Sequence, residues 1–129
     1  LGFPSRIFIA FPKCSYVYVG HVSEVKEEDV DPSMARDAKI QWLINEEKGA
    51  INYALRRFRI LPGGEIRRHQ HPWEHEIYVL SGRGVIGCCD REVEVTEGNF
   101  LFIPPDKPHW YRNPGTEDFV FLCIIPIKK

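Results

Sequence analysis

At 129 residues the chain is sized for one domain and can bury about two-thirds of its unfolded surface in a single core. A net charge of -1 offers no electrostatic attraction to nucleic acid or an anionic membrane, and 43% hydrophobic residues are too many for a disordered chain. The four cysteines, at positions 14, 88, 89 and 123, contain no Cys-x-x-Cys pair and are too sparse for an extracellular disulfide scaffold. Neighbours Cys88 and Cys89 would face opposite sides of a strand, which argues against a zinc site.

In chain order, residues 6–11 and 15–19 read as strands, punctuated by Pro4, Pro12 and Gly20. The apolar run 7–11 is too short for a signal peptide, and nothing approaches the length of a membrane span, so a soluble, cytoplasmic protein is expected. From Glu24 to Lys39 the composition turns acidic and polar. This stretch reads as a solvated connection, with a short helix at 33–38 capped by Asp31 or Ser33 as the alternative. Beyond it, short strands follow one another at 40–44, 51–61, 76–80, 84–89, 92–96, 99–103, 109–112 and 118–125. The longest is expected to stop at Pro62-Gly63-Gly64. Eight strands with regular turn signals imply an all-β sandwich or barrel.

The chemistry gathers in the stretch between Gly63 and Gly82. His69, His71 and His75 all carry odd numbers, so an extended chain can direct all three to one face, and imidazole is the commonest metal ligand. Glu74 and Glu76 then face away, so Glu76 reads as a sheet-surface residue or as a carboxylate supporting an imidazole, with a role as ligand or base the alternative. A second patterned stretch, Gly98 to Asn113, carries His109.

These two stretches resemble the paired motifs of the cupin superfamily. The first motif is glycine, five residues, His-x-His, three or four residues, glutamate, six residues, glycine; Gly63, His69, His71 and Gly82 match it. The second is glycine, five residues, Pro-x-Gly, two residues, His, three residues, Asn; Gly98, Pro104, His109 and Asn113 match it, with Asp106 in place of the glycine. His75 stands where the glutamate belongs. With the string His-Pro-Trp-Glu-His-Glu, that looks like the small single-domain cupins that hold manganese with four histidines.

The resemblance covers about residues 50–126 and implies a double-stranded β-helix of jelly-roll type, with residues 1–39 as extra N-terminal strands and an acidic connection. In this family such strands often exchange between subunits, so a homodimer is expected. It also implies a mononuclear divalent metal on His69, His71, His75 and His109. Manganese(II), and after it iron(II), is favoured by the resemblance, while zinc(II), nickel(II) and copper(II) are possible on affinity.

Strand parity suggests the pocket wall. Tyr111 shares a face with His109, and Arg56 shares one with Phe58 and Ile60, while Leu55, Arg57 and Arg59 take the other. Burying Phe58 carries Arg56 inward, where it needs an anion, either a substrate carboxylate or an internal Asp or Glu. The last strand is apolar on both faces, and the resemblance favours Phe121, Cys123 and Ile125 at the pocket. The functional expectation is a metal-dependent oxygenase-type enzyme acting on a small, anionic or phenolic molecule with dioxygen or peroxide. The alternatives are a non-redox lyase or isomerase of a sugar acid or keto acid, and a small-molecule-binding module without catalysis.

Overall fold

One long strand ties the molecule together. The computed structural model describes residues 17–127, and β3, Tyr53–His69, runs through the middle of it. Before it come β1 (Glu28–Asp29) and β2 (Ala35–Ile44); after it come β4 (His75–Ser81), β5 (Arg83–Cys88), β6 (Arg91–Thr96), β7 (Phe100–Ile103), β8 (His109–Arg112) and β9 (Phe119–Pro126). Every pairing is antiparallel, in the order β6-β5-β8-β3-β9-β4-β7, with β2 also on β3 and β1 on β2. The first half of β3 pairs with β9 (Arg56 opposite Cys123, Phe58 opposite Phe121) and its second half with β8 (Ile66 opposite Tyr111, His69 opposite His109). By changing partners midway, β3 joins both halves of a curled sheet, the jelly-roll arrangement.

β3 passes straight through Pro62-Gly63-Gly64, where the sequence predicted an end. Gly63 takes φ +82, its amide donates to the Asn113 carbonyl at 2.9 Å, and the chain resumes pairing beyond it. The turn residues thus mark the change of partner inside a strand rather than its stop. The alternative helix at 33–38 does not form. Asp31 Oδ1 does accept from the Ser33 amide and hydroxyl, both at 2.9 Å, but the result is a single turn. Ala35, Ala38 and Ile40 then go into the core as part of β2, with Asp37 at φ +53 absorbing a bulge. The strand expected at 6–11 lies outside the described residues, and the described part of 15–19 (residues 17–19) carries no strand.

The inward rows interlock. Phe58 stacks on Phe121 at 5.2 Å between ring centres and Phe121 on Tyr111 at 5.2 Å, joining β3, β9 and β8. Ile60, Val79, Ile103 and Phe119 complete a fully buried centre, each contributing about 1.5–3 kcal/mol relative to exposure. The motif glycine Gly82 has two reasons to lack a side chain: its φ is +76, and a Cβ there would meet the Asp118 carbonyl oxygen at 2.0 Å.

Candidate metal centre and its pocket

Four histidine rings meet at one end of the barrel, brought there by three strands and one link. His69 closes β3, His75 opens β4, His109 opens β8, and His71 lies on the link between β3 and β4. Strand alternation is therefore not the whole reason that the first three converge, because residues 70–74 are not strand. A specific bond holds the link: the Asp106 amide donates to the His71 carbonyl at 2.6 Å. Asp106 has φ +62, so the residue that replaces the motif glycine still adopts the glycine-favoured conformation, which aspartate tolerates better than most residues.

The imidazole donor atoms of His69, His71 and His109 all lie within 4.8 Å of one another, an arrangement that could hold a metal ion. The His75 ring lies 4.7 Å from that of His109 and 5.3 Å from that of His71. His69 Nδ1 lies 2.6 Å from the Arg67 carbonyl and His109 Nδ1 lies 2.9 Å from the Lys107 carbonyl. A carbonyl only accepts, so both Nδ1 atoms must donate, and each Nε2 is left with a bare lone pair. Nε2 of His75 and of His109 are buried without a hydrogen-bond partner, which is costly unless a bound group engages them.

Protonation does not relieve that cost. Burial, reinforced by the mutual repulsion of the rings and of Arg56, pushes His71 down to about 4 and His75 to about 3. Burial also lowers His69 and His109 below the ordinary histidine value. All four rings are neutral at neutral pH, and neutral imidazole is the form that ligates a cation. The donor set of His69, His71 and His109 fits a divalent ion, and His75 lies beside it.

The side chains expected at a pocket, from parity or from the resemblance, lie inside the barrel. Phe58, Tyr111, Phe121 and Cys123 are buried. Arg56 lies with its guanidinium 4.9 Å from the Phe58 ring centre and 5.6 Å from that of Trp42, and its Nη2 donates to Cys123 Sγ at 3.0 Å. Its Nε is buried without a partner, and no carboxylate pairs with it among the described residues. Of the two anions weighed for Arg56, the internal Asp or Glu is thus not what the fold supplies. Cys123 Sγ also lies 3.5 Å from His75 Nδ1, so one thiol connects the guanidinium to a ring of the cluster. Burial raises the thiol of Cys123 and the phenol of Tyr111, so both keep their protons at neutral pH. Glu74 and Glu76 are exposed, and Glu76 pairs along its backbone with Phe102 and Ile124 on the outside of the barrel.

Asn113, a motif residue, turns out to brace the scaffold. Its side-chain amide donates to the carbonyls of Ile60 and Glu117 and its Oδ1 accepts from the Gly115 amide, fixing the β8–β9 loop against β3. Two tryptophans were not singled out from sequence. Trp73 stacks almost parallel on His71, 4.6 Å between ring centres and 5° between planes, and Trp42 covers Arg56. Both line a cleft of about 780 Å³ that also touches Tyr18, Lys48, Ala54 and Ile125. Trp73 sits inside the histidine string, and that adjacency was the available signal. Trp42 had none, because it reaches Arg56 only through the β2–β3 register.

Comparison with known proteins agrees with this architecture. Residues 56–125 match the family described as cupin domain. The chain is 33% identical to the oxalate-binding protein of Thermotoga maritima over 107 residues, spanning 80% of this chain and 88% of that protein. The polyketide cyclase RemF from Streptomyces resistomycificus superposes with a TM-score of 0.83 at 33% identity, covering 88% of this chain and 81% of the cyclase. A predicted oxalate decarboxylase from Thermotoga maritima superposes with a TM-score of 0.75 at 26% identity, covering 86% and 100%. The chain belongs to the cupin family.

Proposed function

We propose that this cupin binds one divalent metal ion through His69, His71, His75 and His109, manganese(II) first among the candidates, and acts with it on a small anionic organic molecule in an oxygenase-type reaction. The observation that carries the reading is the pairing of unused valences: buried, unpartnered Nε2 atoms on His75 and His109 beside a guanidinium without a carboxylate. The bound ion would supply Lewis acidity, and a redox-active ion would also serve to activate dioxygen or a peroxide.

The chain's own residues do the rest. Arg56 holds a carboxylate group of the ligand by charged hydrogen bonds, while Phe58, Tyr111 and Phe121 make the wall apolar and keep water off the histidines. Cys123, between Arg56 and His75, orients both. No buried aspartate or glutamate is present among the described residues. Tyr111 and Cys123 hold their protons too tightly to serve as bases at neutral pH. That scarcity of bases favours metal-centred oxidation over proton transfer. An anionic ligand also accords with the oxalate-binding relative.

A second reading, non-redox carbonyl chemistry, is favoured by the likeness to a polyketide cyclase and by the aromatic-walled cleft beside the pocket. Dioxygen uptake and product analysis of the manganese-loaded protein with small carboxylates and aromatic ketones separate the two. Oxygen consumption coupled to product supports the first reading. Turnover without oxygen replaces it with the second, and tight binding without turnover replaces both with a binding module.

The protein is also inferred to be a homodimer. Tyr78, Phe100, Phe102 and Ile124 are exposed around Glu76 on the outer face of β4, β7 and β9, an apolar surface that a second copy can cover. Light scattering on the intact chain and on one lacking its first 20 residues tests this and the part that the N-terminal segment plays. A monomeric intact chain refutes it. No helix among the described residues is long and apolar enough to cross a membrane.

A further inference from the structure

Strand alternation would hold the side chains of Cys88 and Cys89 on opposite faces, and the chain departs from it at that point. β5 ends at Cys88, and Cys89 takes φ +64, the left-handed region that costs a non-glycine residue about 1 kcal/mol or more. The turn swings the second thiol back beside the first, leaving the two Sγ atoms 3.7 Å apart. Cys89 is exposed and Cys88 half-buried, so the pair can be reached from solvent. The same turn is tied to the histidine cluster. Cys88 pairs with His109 in the β5–β8 register, the Cys89 amide donates to the Pro108 carbonyl at 2.9 Å, and the Cys89 carbonyl accepts from Arg68 Nη1 at 3.3 Å.

We propose that Cys88 and Cys89 are a redox-modification site, a vicinal dithiol that a peroxide closes into a disulfide and that thiols reopen, and that closure weakens metal binding at His109. In the first step Cys89 loses its proton and its sulfur attacks one peroxide oxygen. The O–O bond breaks, a sulfenic S–OH forms, and the other oxygen leaves as water. Cys88 sulfur then attacks that of Cys89, the S–S bond forms, the S–O bond breaks, and a second water leaves with the Cys88 proton. Two thiols lose two electrons, and the peroxide gains them.

Reversibility follows from geometry. Adjacent Cα atoms are about 3.8 Å apart across a trans peptide, below the roughly 4.4–6.8 Å of ordinary disulfides, so the bridge is strained and easily reduced. Closing it rotates the peptide between the two cysteines, whose amide is bonded to Pro108, and shifts the carbonyl that follows, which is bonded to Arg68; these are the residues directly before His109 and His69. This second half of the proposal rests on the metal reading above; the first does not.

The test uses the intact protein, treated with equimolar hydrogen peroxide, alkylated with iodoacetamide and digested with trypsin. Residues 84–91 form one tryptic peptide holding both cysteines and no other. It is expected two hydrogen masses lighter and unalkylated, and alkylated twice when dithiothreitol precedes the reagent. The same treatment of Cys89→Ser should leave Cys88 open to alkylation. Separate sulfinic acids on the two cysteines, or a bridge to Cys14 or Cys123, would overturn the site. Cobalt(II) affinity is then compared in the same samples, with a loss of about tenfold expected in the oxidised wild type and none in peroxide-treated Cys89→Ser. Equal affinities overturn the coupling. A reduced protein that binds no cobalt sinks the metal reading while the mass result stands.

Discussion

Arg56 and Arg59 lie three residues apart on β3 and meet opposite fates. Arg59 points outward and is fully matched: Nε and Nη2 donate to the two oxygens of Glu27 at 2.9 and 2.7 Å, and Nη1 donates to Asp118 at 2.9 Å. Those hydrogen bonds push its proton affinity up and lower that of Glu27. Arg56 points inward, to a thiol and two aromatic faces, with its Nε unpartnered. On the outside, the fold supplies the counter-charge itself. On the inside it supplies π faces and sulfur, which stabilise a cation less than a carboxylate does. A guanidinium kept at that cost beside neutral histidines supports the proposal that the ligand is met there.

The sharpest way to break this contrast is at the histidines. His109→Ala or His71→Ala should weaken divalent metal binding by more than about 100-fold, judged against the 10–100-fold typical of supporting groups around a metal. His75→Ala tells a four-ligand centre from a three-ligand one. Elemental analysis and calorimetry read both, and full occupancy in His75→Ala combined with loss in Glu76→Gln would overturn the all-histidine set.

Next in size is Arg56→Met. It keeps the packing against Phe58 and removes the charge, so oxalate binding to the metal-loaded protein should weaken by about 10- to 100-fold, corresponding to the roughly 1.5–3 kcal/mol of a charged hydrogen bond. A neutral analogue should bind as before. Equal affinities in wild type and variant would mean that the guanidinium does not face the ligand.

A titration sharpens the comparison further. His71 and His75 have folded values near 4 and 3, below the ordinary value of about 6.5 that the unfolded chain shows. Below about pH 6.5 the unfolded chain takes up protons that the folded chain refuses, so stability is full above that pH and is lost progressively toward about pH 3. The same protons should release the metal over that window. Urea midpoints of metal-free protein across this range should fall, and His75→Asn should flatten the fall. An unchanged slope would place the acid sensitivity in the outer carboxylates.

The smallest effect is expected outside. Arg59→Met should cost about 1 kcal/mol or less and depend on salt, because half-exposed ion pairs are screened by solvent. Denaturant melts at low and high salt measure it. A large, salt-independent loss would show Arg59 to be a core element rather than a surface match.

The sequence by itself determined the strand repertoire from residue 40 onward, the four histidines and the pocket side of β3. Each of these rests on a local rule. Alternation with period two separates Arg56, Phe58 and Ile60 from Arg57 and Arg59 without any knowledge of partners, and motif spacing singles out His69, His71, His75 and His109. Only the tertiary structure decided what these residues meet. Pro62-Gly63-Gly64 reads as a stop, yet β3 continues because β8 replaces β9 beside it. Residues 33–38 follow a capping aspartate, Asp31, yet β3 offers a ladder that outcompetes a single turn of helix. Trp42 arrives over Arg56 through register, and the Cys89 thiol returns to Cys88 through one positive φ. Periodicity states which way a side chain points along its own strand. Which strand lies opposite, and where a turn reverses the alternation, depend on pairings between distant residues that no local pattern contains.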